Sequence, residues 1–121
     1  MVGRTRVGIA THQELRNRAL QIARGERRRE PNEPKIWFTS LESLAKVLSE
    51  SNRELLRIID KRRPKSLAEL EALTGRRASN LSRTLKTMSH YGLIKLVPGR
   101  RGSIAPQVLV RQVHMDLSIV Q

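Results

Sequence analysis

Ser79, Asn80 and Arg83, followed by Lys86, Thr87 and His90, set hydroxyl, carboxamide, guanidinium, ammonium and imidazole groups at helical spacing. At 100° per residue these positions fall on one side of a helix. Ala78, Leu81, Leu85 and Met88, at i, i+3, i+7 and i+10, fall on the other. Short polar side chains can approach the edges of bases, and an arginine can reach guanine O6 and N7 in bidentate fashion. Arg76 and Arg77 stand at the entrance to this helix, and Arg100 and Arg101 lie further on, on a glycine-bounded tip. Arginines on such a tip suit the narrow, negative minor groove of duplex DNA. The alternative for each of these residues is an ordinary solvated surface.

The elements that must hold these groups are legible in stretch 66–102. Ser66 and Glu69 form a capping box, and Leu67, Leu70 and Leu73 then repeat at helical spacing. Thr74-Gly75 ends that first helix, because glycine accepts the left-handed conformation of a helix C-terminus. A second helix is expected over about 77–91, with Gly92 as its stop. Leu93, Ile94, Leu96 and Val97 then read as a strand, residues 98–102 as a tip and residues 104–110 as a return strand. Pro106 marks that return strand as an edge, since proline cannot donate to a ladder.

Residues 37–97 resemble the winged helix-turn-helix regulators of the ArsR/MarR-like group, and more closely a prokaryotic subfamily of small DNA-binding proteins. The residues that carry the resemblance are Ser40-Leu41-Glu42, Leu55-Leu56-Arg57, Pro64-Lys65-Ser66-Leu67, Asn80, Arg83 and Tyr91-Gly92-Leu93-Ile94. The resemblance implies a transcriptional regulator, and some proteins of this kind resemble antitoxins encoded beside a small toxin. It covers about half of the chain closely.

Composition narrows the partner. Lys and Arg number 24 against 11 Asp and Glu, a formal net charge of +13 over 121 residues. No acidic residue occurs between Glu71 and Asp116, an interval that holds Arg76, Arg77, Arg83, Lys86, Lys95, Arg100, Arg101 and Arg111. Such one-signed charge points to a polyanion. With one Trp, one Tyr and one Phe, the chain lacks the stacking platforms of single-strand and RNA-loop binders, so duplex DNA is favoured. The absence of cysteine excludes disulfides and thiolate metal sites. His12, His90 and His114 are scattered, and no spacing suggests a metal, a cofactor or an enzyme. No apolar run reaches membrane-spanning length, which leads to the expectation of a cytoplasmic, nucleoid-associated protein.

Outside this centre the patterns are thinner. Residues 4–9 alternate weakly, and Thr11 with Glu14 forms another capping box, opening a helix to about Arg24 with Leu15, Ala19 and Ile22 on one stripe. Residues 25–34 read as a charged linker, and Lys35-Ile36-Trp37-Phe38 as a strand that can pair with 4–9. Ser40 caps the next helix, the run 49–52 interrupts it, and a helix over 53–62 buries Leu55, Leu56, Ile58 and Ile59. Lys61-Arg62-Arg63 at its end suits the helix dipole or a nearby phosphate. Val113, Met115 and Leu117 alternate as a last strand.

The expected fold is therefore mainly α with a small β component, α+β, a winged helix-turn-helix preceded by a small N-terminal strand-helix-strand element. Residues 1–38 would serve dimerisation or partner binding, and residues 39–121 would bind DNA. The expected activity is that of a homodimeric repressor on a pseudo-palindromic duplex. Its alternatives are an antitoxin that neutralises a cognate toxin and represses its own operon, and a non-specific nucleoid protein.

Overall fold

Local signals set most helix boundaries. In a computed structural model of the protein, residues 3–120 are described, with the side chain of Arg100 excepted. The element order is β1 Gly3–Ile9, α1 His12–Ala23, β2 Ile36–Phe38, α2 Leu41–Val47, α3 Glu50–Arg62, α4 Leu67–Thr74, α5 Ala78–His90, β3 Ile94–Pro98, β4 Ile104–Val108 and β5 Val110–Met115. The class is α+β, as expected. No helix is long and apolar enough among the described residues to cross a membrane.

Contacts divide the chain into two units. One contains residues 47–111, and the other residues 4–46 together with the C-terminal residues from 112. The division thus falls at 46/47 and again at 111/112, whereas the sequence patterns suggested a single boundary after residue 38. The reason is topological: β5 does not extend the hairpin before it but pairs with β1, in a three-stranded sheet of order β2-β1-β5.

In the smaller unit β1 and β2 run parallel, with Val7 opposite Ile36, Gly8 opposite Trp37 and Ile9 opposite Phe38. A parallel pair needs a crossover connection, and α1 with residues 24–35 supplies it. Thr11 and Glu14 make both halves of their capping box. The buried large side chains here are few: Val7, Ile36 and Phe38.

The larger unit has a fuller core of Leu55, Ile59, Leu70, Leu81, Leu85, Met88, Leu93 and Ile94. Helix α3 begins three residues earlier than its sequence suggested. Ser49 caps it, its hydroxyl accepting the Asn52 N–H at 3.2 Å, so the polar run 49–52 is a helix start and not an interruption. Of its four apolar residues Leu55 and Ile59 are buried, while Leu56 and Ile58 are only half-buried. Hairpin β3–β4 is antiparallel, with Leu96 opposite Pro106. The return strand stops at Val108, because the N–H groups of both Leu109 and Val110 turn to the Leu93 carbonyl, at 3.0 and 3.3 Å.

Candidate nucleic-acid interface

Helix α5 is fixed at both ends by groups outside its own side-chain pattern. Its N-cap residue, Arg77, makes no side-chain cap. Instead Glu71, on α4, accepts the first helical N–H, that of Ala78, at 3.0 Å. A carboxylate at a helix N-terminus satisfies an orphan donor and opposes the dipole's positive end. That bond also ties α4 to the start of α5. At the other end Gly92, with φ +83°, reverses the chain while its N–H bonds Ser89 and the Leu93 N–H bonds Met88. This pair of bonds is a Schellman closure, and a side chain at Gly92 would strain it.

The inner face of α5 is sealed: Leu81, Leu85 and Met88 each expose 0% of their surface. Helix α4 and strand β3 are its neighbours within the unit. Each such side chain contributes on the order of 2–3 kcal/mol by leaving water. The opposite face is open, with Ser79, Asn80, Arg83, Lys86, Thr87 and His90 all exposed. Among the described residues no hydrogen bond or ion pair engages the side chains of Ser79, Asn80, Arg83 or Lys86. The Thr87 hydroxyl donates to the Arg83 carbonyl at 3.1 Å, and the His90 ring meets Tyr91 edge-on at 5.8 Å.

The flanking arginines divide. Arg77 is exposed, but Arg76 is half-buried. The Arg76 guanidinium donates to the Ser51 carbonyl at 3.0 Å, to the Ser51 hydroxyl at 2.6 Å and to Asn52 Oδ1 at 3.3 Å. Its hydrogen-bond donors are therefore committed to joining the α4–α5 turn to the start of α3. Arg111, counted with the unopposed cations in the sequence, pairs with Asp60 at 2.5 Å, which removes it from the free positive charge. A shallow groove lies between the first turns of α3 and α5, lined by Ser49, Ser51, Asn52, Arg77, Ser79 and Asn80 among others.

Hairpin β3–β4 has a rigid base and a turned tip. The Ser66 hydroxyl caps α4 by accepting from Glu69, while the Glu69 carboxylate takes the Lys65 N–H at 3.1 Å, one residue earlier than the simplest capping box would have it. Ser103 Oγ, at the hairpin, accepts the Leu67 N–H at 3.2 Å. Gly99 closes the turn by donating to the Ser103 carbonyl at 2.7 Å, and its missing side chain leaves room for the Lys65 carbonyl. These contacts hold the hairpin base to the first turn of α4. Beyond it a short 3-10 turn, Arg100–Gly102, carries an exposed Arg101 in left-handed conformation, φ 52°. The Arg100 side chain lies outside the described residues.

Of the ten residues expected at the interface, Ser79, Asn80, Arg83, Lys86, Thr87 and His90 share the outer face of α5, and Arg77 stands at its start. Arg101 is separate, on the hairpin tip, and Arg76 is turned to α3. Sequence reasoning passed over Glu71, Ser51, Asn52 and Ser103, which position this surface. Glu71 did carry a signal, as the last acidic residue before the cationic interval. The described residues contain no cluster of three or more His, Cys, Asp or Glu that could hold a metal.

The class so defined is an α+β protein that presents an acid-free, cationic helix face beside a short antiparallel hairpin. The chain belongs to the HVO_A0114 family, whose model matches residues 47–115. The match begins at residue 47, where the larger unit also begins. No curated protein and no solved structure matches the chain.

Proposed function

We propose that the protein is a sequence-specific regulator that binds duplex DNA, with α4 and α5 as a helix-turn-helix and β3–β4 as its wing. The observation that carries this reading is the sidedness of α5. Leu81, Leu85 and Met88 are wholly buried, while Ser79, Asn80 and Arg83 stand exposed with no side-chain hydrogen bond or ion pair among the described residues. A helix that enters the major groove needs that division, with hydroxyl, carboxamide and guanidinium groups free for base edges. Lys86 and His90 fall further along the same face, suited to phosphate. Arg101, on the wing tip, suits the minor groove. Acting as a dimer, the protein would set two α5 helices about 10 bp apart on a pseudo-palindromic site.

Selection of bound duplexes from a random pool tests the reading. A recovered motif with two half-sites at that spacing is the expected outcome. With about four phosphate contacts per protomer, log K should fall against log salt with a slope near −7. Equal affinity for scrambled duplexes would leave only a non-specific nucleoid role. Binding that ignores salt would remove the reading altogether.

A further inference from the structure

Helix α1 is where pattern and packing part. It has twelve residues and a complete capping box, yet none of its residues is buried. Leu15 and Ile22 are half-buried, and Leu20 is 44% exposed. A helix of this length is marginal in water without a packed face. Beside its apolar stripe runs a groove of about 640 Å³, bounded on the other side by residues 29–37. Leu15, Ala19, Ile22, Pro31, Pro34 and Trp37 supply its apolar lining.

The groove is built, not incidental. The Arg18 guanidinium lies 5.2 Å from the centre of the Trp37 ring and pairs with Glu33, a pair whose side chains are mostly buried. The indole in turn covers Gly8 of β1, where a Cβ would strike Trp37 and Pro34. One wall is thereby pinned to the other before anything binds, which lowers the cost of ordering on association.

Its surroundings are cationic. Glu14 is engaged with Thr11 and Glu33 with Arg18. Of the charged residues that line the groove, Arg18 and Glu33 pair with each other, which leaves Arg29 and Lys35 against Glu30.

We propose that this groove receives an acidic amphipathic helix of a partner protein. Its apolar face would lie along Leu15, Ile22 and Trp37, and its carboxylates would meet Arg29 and Lys35. A second copy of this chain is the poorer occupant, because it would bring the same cations face to face. Nucleic acid gains little from an aliphatic lining. The inference uses residues other than those of α5 and stands whether or not the DNA reading does.

The test uses the full chain and two synthetic helical peptides of about four turns. One has leucines at i, i+3, i+4 and i+7 with glutamates elsewhere, and the other has lysines in place of the glutamates. Trp37, the single tryptophan, reports on the groove by its emission, and hydrogen exchange reports on α1. The acidic peptide should shift the emission to the blue and slow exchange in α1, and the lysine peptide should do neither. Ile22→Asp should weaken the acidic peptide at least about tenfold, while Arg83→Ala should leave it unchanged. If Ile22→Asp disturbs folding, the double variant Arg29→Glu, Lys35→Glu decides: it should move the preference toward the lysine peptide. No response to the acidic peptide, an equal response to both, an undiminished response in these groove variants, or displacement of the peptide by duplex DNA would each overturn the proposal. So would self-association in sedimentation that Leu15→Arg abolishes.

Discussion

Helices α5 and α1 are nearly equal in length, thirteen residues and twelve, and both carry an apolar stripe with polar residues opposite. Their fates differ. Helix α5 buries three large side chains completely, and α1 buries none. Periodicity specifies which side of a helix is apolar but not how deep a surface it will find. Helix α5 has α4 and β3 for neighbours in its own unit, whereas α1 spans a crossover whose sheet contributes, among the described residues, three buried large side chains. The comparison separates a helix whose exposed face is polar by construction from one whose exposed face is still apolar.

The largest expected effect breaks this comparison if it fails. Leu85→Ala should destabilise the protein by about 2–5 kcal/mol in chemical denaturation, since it empties a sealed site. Ile22→Ala, on α1, should cost well under half as much. Equal losses would mean that α1 is packed as firmly as α5.

Two arginines seven residues apart sharpen the contrast within α5's own surroundings. Arg83→Ala should lose about 1–3 kcal/mol on the selected DNA site and relax base preference, read by quantitative binding to single-base variants of the site. Arg76→Ala should instead lose about 1 kcal/mol of folding stability, because it removes the guanidinium hydrogen bonds that join the α4–α5 turn to Ser51 and Asn52. Base preference should stay as it was. If Arg76→Ala alters preference without altering stability, its guanidinium serves the ligand and not α3.

Smaller effects address the helix starts. Ser66→Ala should cost about 1 kcal/mol in denaturation, through loss of the cap on Glu69 N–H. For α1 the probe is pH. Hydrogen bonds from the Thr11 backbone and hydroxyl hold the Glu14 carboxyl below its ordinary value. A carboxyl lowered in the folded state favours folding at pH above its unfolded value, and that contribution fades as pH falls through the folded value. Helical signal from α1, followed by residue-specific chemical shifts, should therefore decline in acid, and Glu14→Gln should flatten the decline.

What the sequence determined by itself was short-range. The capping pairs Thr11/Glu14 and Ser66/Glu69, the glycine stop at Gly92 and the two faces of α5 all lie within a few residues of the groups they engage, so spacing alone exposes them. The start of α3 was misread because Ser49, Ser51 and Asn52 favour caps and turns alike, and only the bond from Asn52 N–H to Ser49 shows which is meant. Tertiary structure decided the rest: that Arg76 faces Ser51, that Arg111 meets Asp60, that Glu71 caps α5, and that β5 pairs with β1 across more than a hundred residues. Charge and hydropathy read along a chain give the kind of group at each position. Which cation is left free for a ligand depends on which distant carboxylate or carbonyl the fold has already brought to it.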